Sequence, residues 1–147
     1  MNRQSQLCTF FLQDLYFGVD LEKVQEVIRY QEMTRIPLAP AVIAGLINLR
    51  GQIVTAIDLR RQLELTARQA GQRPMNVVIR REDGPISLLV DEIGDVVEVE
   101  EDSFENPPHT LESRRREFLR GVYKLNEKLL LLLDTEKAVS VAGAHAA

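Results

Sequence analysis

Asp91, Glu92, Asp95, Glu98, Glu100, Glu101 and Asp102 form a dense run of carboxylates. Carboxylates in such number suit two chemistries: paired-acid hydrolysis and the holding of a hard divalent cation. The order within the run points elsewhere. Val97, Glu98, Val99 and Glu100 alternate apolar with charged, the pattern of a half-exposed strand. A small metal-dependent hydrolase therefore stays only as the rival reading.

Other reactive groupings are sparser. A phosphate-binding loop needs glycines at fixed close spacing so that backbone amides wrap the anion. Gly45 and Gly51 are one residue too far apart for that, Gln52 stands where the lysine belongs, and no G-x-G occurs. One cysteine and two histidines cannot supply a zinc site. Cys8 and His109 would make a nucleophile and base, but Cys8 opens an apolar strand, where a thiol is a small buried hydrophobe. The sequence thus predicts no catalytic residue, no metal and no cofactor.

Composition narrows the partners. The 147 residues suit one domain or two small lobes on a shared core. A net charge of -4 disfavours steering toward nucleic acid or an anionic membrane, and no tryptophan with 5% aromatic residues leaves no stacking platform for single strands. An RNA-binding barrel is therefore disfavoured. Arg114, Arg115 and Arg116 sit among Glu112 and Glu117 and read as a solvated face. The N-terminal apolar run is too short and too interrupted for a signal peptide or membrane span. A lone thiol suits a reducing cytoplasm.

The elements are short. Hairpins are expected where Gln13-Asp14, Arg50-Gly51, Glu82-Asp83-Gly84 and Asn126-Glu127 separate apolar runs. Leu21, Val24, Val27 and Ile28, after a candidate cap at Asp20, are spaced as one side of a helix. Asp58 and Asp134 are further candidate caps. Ala142 to Ala147 reads as a loose tail.

An internal repeat organises these pieces. GLINLRGQIVTAIDLRR from Gly45 matches GVYKLNEKLLLLLDTEK from Gly121, with Gly, Leu, Ile/Leu, Ile/Leu and Asp in five gapless pairs. A weaker echo pairs Val19–Val27 with Val90–Val96. Duplication of short strands predicts two small closed sheets, since closure removes exposed edges. The copies differ at their tips, Asn48-Leu49-Arg50-Gly51 against Lys124-Leu125-Asn126-Glu127. Arg50 there presents a five-donor fork to a partner's carboxylate or helix C-terminus, or else clamps its own chain at Glu26 or Asp58.

These residues resemble the CheW family of bacterial chemotaxis coupling proteins. The likeness runs through Tyr16–Asp20, Lys23–Val27, Thr34–Pro37, Gly45–Arg60, Val90–Val96 and Gly121–Asp134, about residues 5 to 141, and is most specific at Asn48-Leu49-Arg50-Gly51 with Asp58-Leu59-Arg60. Thr55-Ala56, in place of a proline-containing strand, and the basic loop 106–116 depart from it and fit a non-flagellar chemosensory pathway as the alternative. The resemblance implies an all-β fold of two intertwined five-stranded SH3-like barrels and no enzymatic activity. Lobe 1 is expected over residues 15–75 and lobe 2 over 76–140, with the N-terminal strand shared and 142–147 a flexible tail. It implies a cytoplasmic adaptor joining a chemoreceptor's helical tip to the regulatory domain of a CheA-type histidine kinase, with self-association in arrays. It places receptor contact on Val24, Glu26, Val27, Gly45, Asn48 and Arg50, and leaves the kinase-binding residues unassigned.

Overall fold

The computed structural model describes residues 4–109, 113–126 and 128–140; the expected tail at 142–147 lies outside them. Each expected hairpin forms. The first joins β1 (Gln4–Leu12) to β2 (Leu15–Asp20), and β3 (Val24–Ile28) follows. The second joins β4 (Ile43–Leu49) to β5 (Gln52–Asp58) and runs into helix α1 (Leu59–Gln62). The third joins β6 (Met75–Ile79) to β7 (Ile86–Val90), then come β8 (Glu92–Glu100), β9 (Phe104–Glu105) and helix α2 (Ser113–Arg116). The fourth joins β10 (Leu119–Leu125) to β11 (Lys128–Leu133), ending in helix α3 (Thr135–Val139).

The strands form a five-stranded sheet, β3-β6-β7-β5-β4, and a six-stranded sheet, β8-β1-β2-β11-β10-β9. The all-β expectation holds; the extra strand is the two-residue β9. The sheets do not divide at residue 75. β5 pairs in parallel with β7 (Ile57 opposite Leu88), which keeps the β6–β7 hairpin in the first sheet. β11 pairs in parallel with β2 (Leu131 opposite Phe17), which draws the N-terminal hairpin into the second. Strands from residues 24–90 thus build one sheet, and the two ends of the chain build the other.

The repeat has a structural cause at each matched residue. Both hairpins shift register at the same place, between Ile43 and Gly45 and between Leu119 and Gly121. Asp58 N–H donates to Val42 O and Asp134 N–H to Phe118 O, each at 2.7 Å. Both aspartates then cap the next helix, accepting from Arg60 N–H and Lys137 N–H. The glycines are required because another segment crosses them. A Cβ on Gly45 would stand 2.7 Å from Thr34 O, and one on Gly121 would meet the Phe104 ring and Glu105 O. Those crossing segments cover the outer edges of β4 and β10: Thr34 exchanges two backbone hydrogen bonds with Leu46, and β9 pairs with Val122 and Tyr123.

The central strands β6 and β7 are buried almost throughout and read as continuous apolar runs, whereas β4, β5 and β8 alternate buried with exposed positions. Ile47, Val54, Val78 and Leu89 pack inside the first sheet, and Leu7, Val99, Tyr123, Leu130 and Leu132 inside the second. The larger core lies between the sheets and joins Phe10, Phe17 and Leu131 to Ile57, Val77 and Leu88.

The helix expected from Leu21 to Ile28 is a single 3-10 turn, Leu21–Lys23, followed by β3. Asp20 makes no cap bond; its carboxylate accepts from Arg120 at 3.3 Å. The misleading spacing has a definite origin. A bulge in β3 sets three of its residues against two of β6, with Val24 opposite Ile79 and Val27 opposite Val77. Val24 and Val27, three apart, therefore both reach the core, as they would on a helix.

Where the chain crosses between sheets, Asp91 gathers three elements. Its carboxylate accepts from Arg60 Nε and guanidinium nitrogen (2.9 and 2.5 Å), from Arg68 Nε (3.0 Å), and from Gln13 N–H in the β1–β2 turn (2.7 Å). Arg68 also donates to Asp58 (2.9 Å) and Leu89 O (3.1 Å), and Arg60 to Thr66 O (2.9 Å). The sequence reading did not single out this network.

Candidate binding surface

The β4–β5 tip is built by its own residues. Arg50 and Gly51 both take positive φ (50° and 87°), and Asn48 Oδ1 accepts from Gly51 N–H at 2.8 Å, closing the turn. Gly51 meets that requirement without strain, as Arg50 does not. The tip lifts the Arg50 side chain into solvent, 68% exposed.

Arg50 pairs with Glu26 on β3. The hydrogen bond between them holds the Glu26 carboxyl below its usual range and pushes the Arg50 guanidinium up. β3 and β4 are the two outer strands of the five-stranded sheet, so this pair spans its edges and the sheet curls round to bring them together. Of the two internal partners considered from sequence, Glu26 is the one engaged; Asp58 is held by Arg68 instead. The guanidinium is otherwise exposed, so the clamp leaves donors facing solvent.

The six residues implied by the family resemblance separate into two groups. Glu26, Asn48 and Arg50 meet at the tip. Val24 is 8% exposed and Val27 packs on the main core, so both support β3 from beneath. Gly45 is buried under Met33 and Thr34. Gly45→Ala is expected to force the Thr34 crossing outward and cost about 1–3 kcal/mol, the usual scale of overpacking. Urea melts check this; an unchanged midpoint would show that the crossing yields freely.

One exposed apolar residue beside the tip was not anticipated from the sequence. Ile53 is 61% exposed and pairs in register with Asn48, adding an apolar surface beside the arginine. Its signal was present: Val54 and Ala56 alternate inward on β5, which leaves Ile53 facing out.

The groups considered for chemistry do not converge: Glu92, Asp95, Glu98, Glu100, Glu101 and Asp102 are exposed along β8 and the turn after it. Asp91 is committed to two arginines. Burial pushes the Cys8 thiol up and away from thiolate. His109 lies 3.4 Å from Arg116 in an exposed loop. Among the described residues, no three metal-ligating side chains converge, and no helix is long and apolar enough to cross a membrane.

Residues 6–142 match the family model described as a CheW-like domain. A chemotaxis protein CheW of Klebsiella aerogenes is 32% identical over 131 residues, covering 89% of this chain and 79% of that one. Another, of Treponema pallidum, is 29% identical over 143 residues, covering 95% and 84%. Among solved structures, the scaffolding protein TtCheW of Thermoanaerobacter tengcongensis superposes with a TM-score of 0.85 at 26% identity, covering 98% of this chain and 93% of its own. The duplicated hairpins, the two sheets and these likenesses over nearly the full length agree: the chain belongs to the CheW-like domain family.

Proposed function

We propose that this chain is a non-enzymatic adaptor of bacterial chemotaxis that scaffolds other signalling proteins in the cytoplasm. The carrying observation is the family match across residues 6–142. In this reading the chain joins the helical cytoplasmic tip of a chemoreceptor to the regulatory domain of a CheA-type histidine kinase. The receptor contact is placed at the β4–β5 tip: Arg50 supplies charged donors, Asn48 holds the turn, Glu26 orients the guanidinium and Ile53 adds apolar area. Val24, Val27 and Gly45 keep that tip in place. A helix laid on such a surface is recognised by its apolar face and one charged anchor. Signalling through a scaffold requires that the receptor's two states differ in their contacts with the adaptor or kinase, since equal affinity for both shifts nothing.

Co-sedimentation tests the bridge. Kinase should pellet with receptor-bearing vesicles when this protein is added and stay in the supernatant without it. Kinase retention independent of the adaptor would refute the bridging role.

A further inference from the structure

A hollow of about 770 Å³ is lined by the 3-10 turn Leu21–Lys23, the end of β6 with the turn after it, and helix α3. Its walls carry three cations, Lys23, Arg80 and Arg81, together with Ile79, Thr135 and Val139. Among the described residues none of the three cations makes an ion pair. Arg80 gives one guanidinium nitrogen to Val24 O at 3.5 Å, and Arg81 gives Nε to Gly84 O at 3.3 Å. Their remaining donors, and the Lys23 ammonium, are uncommitted.

Thr135 sets this hollow apart from a chance gathering of surface charge. It is 6% exposed, yet its hydroxyl has no hydrogen-bond partner among the described residues. Nor is the hydroxyl sealed in: among those residues, Arg116 Nε is the one unpartnered side-chain atom fully cut off from solvent. The hydroxyl therefore opens on the hollow that Thr135 lines. A buried hydroxyl is costly without a partner, and here the partner must come from outside the chain.

The walls are fixed in advance. Arg80 N–H donates to Lys23 O at 2.9 Å, which ties the 3-10 turn to the end of β6. The buried Gln62 amide donates to Ala138 O (2.8 Å) and Ser140 O (2.6 Å), which ties α3 to α1. Groups held in place before binding lose little freedom when a ligand arrives.

The donors set the ligand's chemistry. Two guanidinium groups, an ammonium and a hydroxyl suit an oxyanion, and a guanidinium fork matches the paired oxygens of a phosphoryl group. Ile79 and Val139 add apolar wall for an organic body. Glu82 and Glu136 also line the hollow and are exposed. The cations outnumber these carboxylates three to two, so the wall favours a single phosphoryl group over a longer polyanion.

We propose that this hollow binds a small organic monophosphate. The phosphoryl group meets the Thr135 hydroxyl and the donors of Lys23, Arg80 and Arg81, while the body lies against Ile79 and Val139. The site uses none of the residues of the β4–β5 tip, so it stands or falls apart from the adaptor reading.

Phenyl phosphate, inorganic phosphate and phenol are titrated into the full chain at constant ionic strength, with backbone amide NMR shifts as the readout. Phenyl phosphate should shift Lys23, Arg80 and Thr135 saturably, and inorganic phosphate should act on the same amides about tenfold more weakly. Arg80→Gln and Thr135→Val should each weaken phenyl phosphate about fivefold or more. Thr135→Ser keeps the hydroxyl and should bind as wild type, as should Arg29→Gln, which removes an exposed cation beyond the other end of β3. Arg80 and Arg29 are both exposed, so their variants decide the matter even where position 135 does not tolerate valine. Unchanged affinity in Arg80→Gln, an equal loss in Arg29→Gln, the same shifts with phenol, or no saturable shift with phenyl phosphate overturns the site.

Discussion

Asp91→Ala is expected to lower folding stability by about 3–5 kcal/mol, the usual cost of removing one member of a buried ion network. Asp91, Arg60 and Arg68 have side chains only 16%, 9% and 10% exposed. Without the carboxylate, the Arg60 guanidinium keeps Thr66 O but loses its counter-charge, Gln13 N–H loses its acceptor, and Arg68 keeps only Asp58 and Leu89 O. The damage reaches both sheets, because Gln13 belongs to the six-stranded sheet's hairpin and the arginines follow the five-stranded sheet. A domain stable by about 5–15 kcal/mol feels a loss on this scale strongly.

The same carboxyl gives the expectation a pH dependence. Burial alone would raise its pKa, but the hydrogen bonds from Arg60 and Gln13 and the two guanidinium charges outweigh burial and hold it below its usual range. A carboxyl depressed on folding contributes stability above its unfolded pKa, near 3.9, and loses it as pH falls through the folded value. Urea melts of wild type and Asp91→Ala should therefore differ most near neutrality, and the gap should shrink as pH falls below the unfolded value and through the depressed folded one. A gap under about 1 kcal/mol at neutral pH would mean that solvent already screens the network as it does a surface pair.

Much of the fold was legible because its signals are local. Gln13-Asp14, Arg50-Gly51, Glu82-Asp83-Gly84 and Asn126-Glu127 each mark a hairpin, and the strands on either side follow from apolar run length. The Gly45/Gly121 and Asp58/Asp134 matches carried real information, since each glycine lies under a crossing segment and each aspartate caps a helix. Two features were not legible. β3 was read as helix because its bulge sets Val24 and Val27 three residues apart on one face, and spacing alone does not distinguish a bulge from a helical turn. The lobe boundary depends on which parallel neighbours β5 and β11 choose, and parallel pairing joins strands distant in sequence with no turn motif between them.

The candidate surface was legible to a similar degree. Arg50 stood out as the charge on the first copy's tip where the second has Asn126, and Glu26 was one of two internal partners named for it. Ile53 was readable from strand parity but was passed over, while Val24 is buried and Val27 half-buried against the core. Asp91 and Arg60 were noticed separately, but their pairing with Arg68 was not, because the three lie up to 31 residues apart and meet only through folding.

Arg50 carries the account, and its pairing with Glu26 leaves two physical roles to separate. A clamp acts by closing the sheet's edges, and any ion pair of the same geometry serves. A contact acts by presenting positive charge outward, and only a cation at position 50 serves. Arg50→Glu sets two carboxylates against each other at an exposed site, so the fold should survive while receptor affinity falls by about tenfold or more, as for loss of an anchoring interface residue. The exchanged pair, Glu26→Arg with Arg50→Glu, restores an ion pair but leaves the tip negative.

The decisive measurement titrates a receptor-tip fragment against wild type, Arg50→Glu and the exchanged pair, with thermal melts confirming that all three are folded. Binding should be lost in both variants and not recovered by the exchange. Wild-type affinity in the folded Arg50→Glu variant, or full recovery in the exchanged pair, would contradict it.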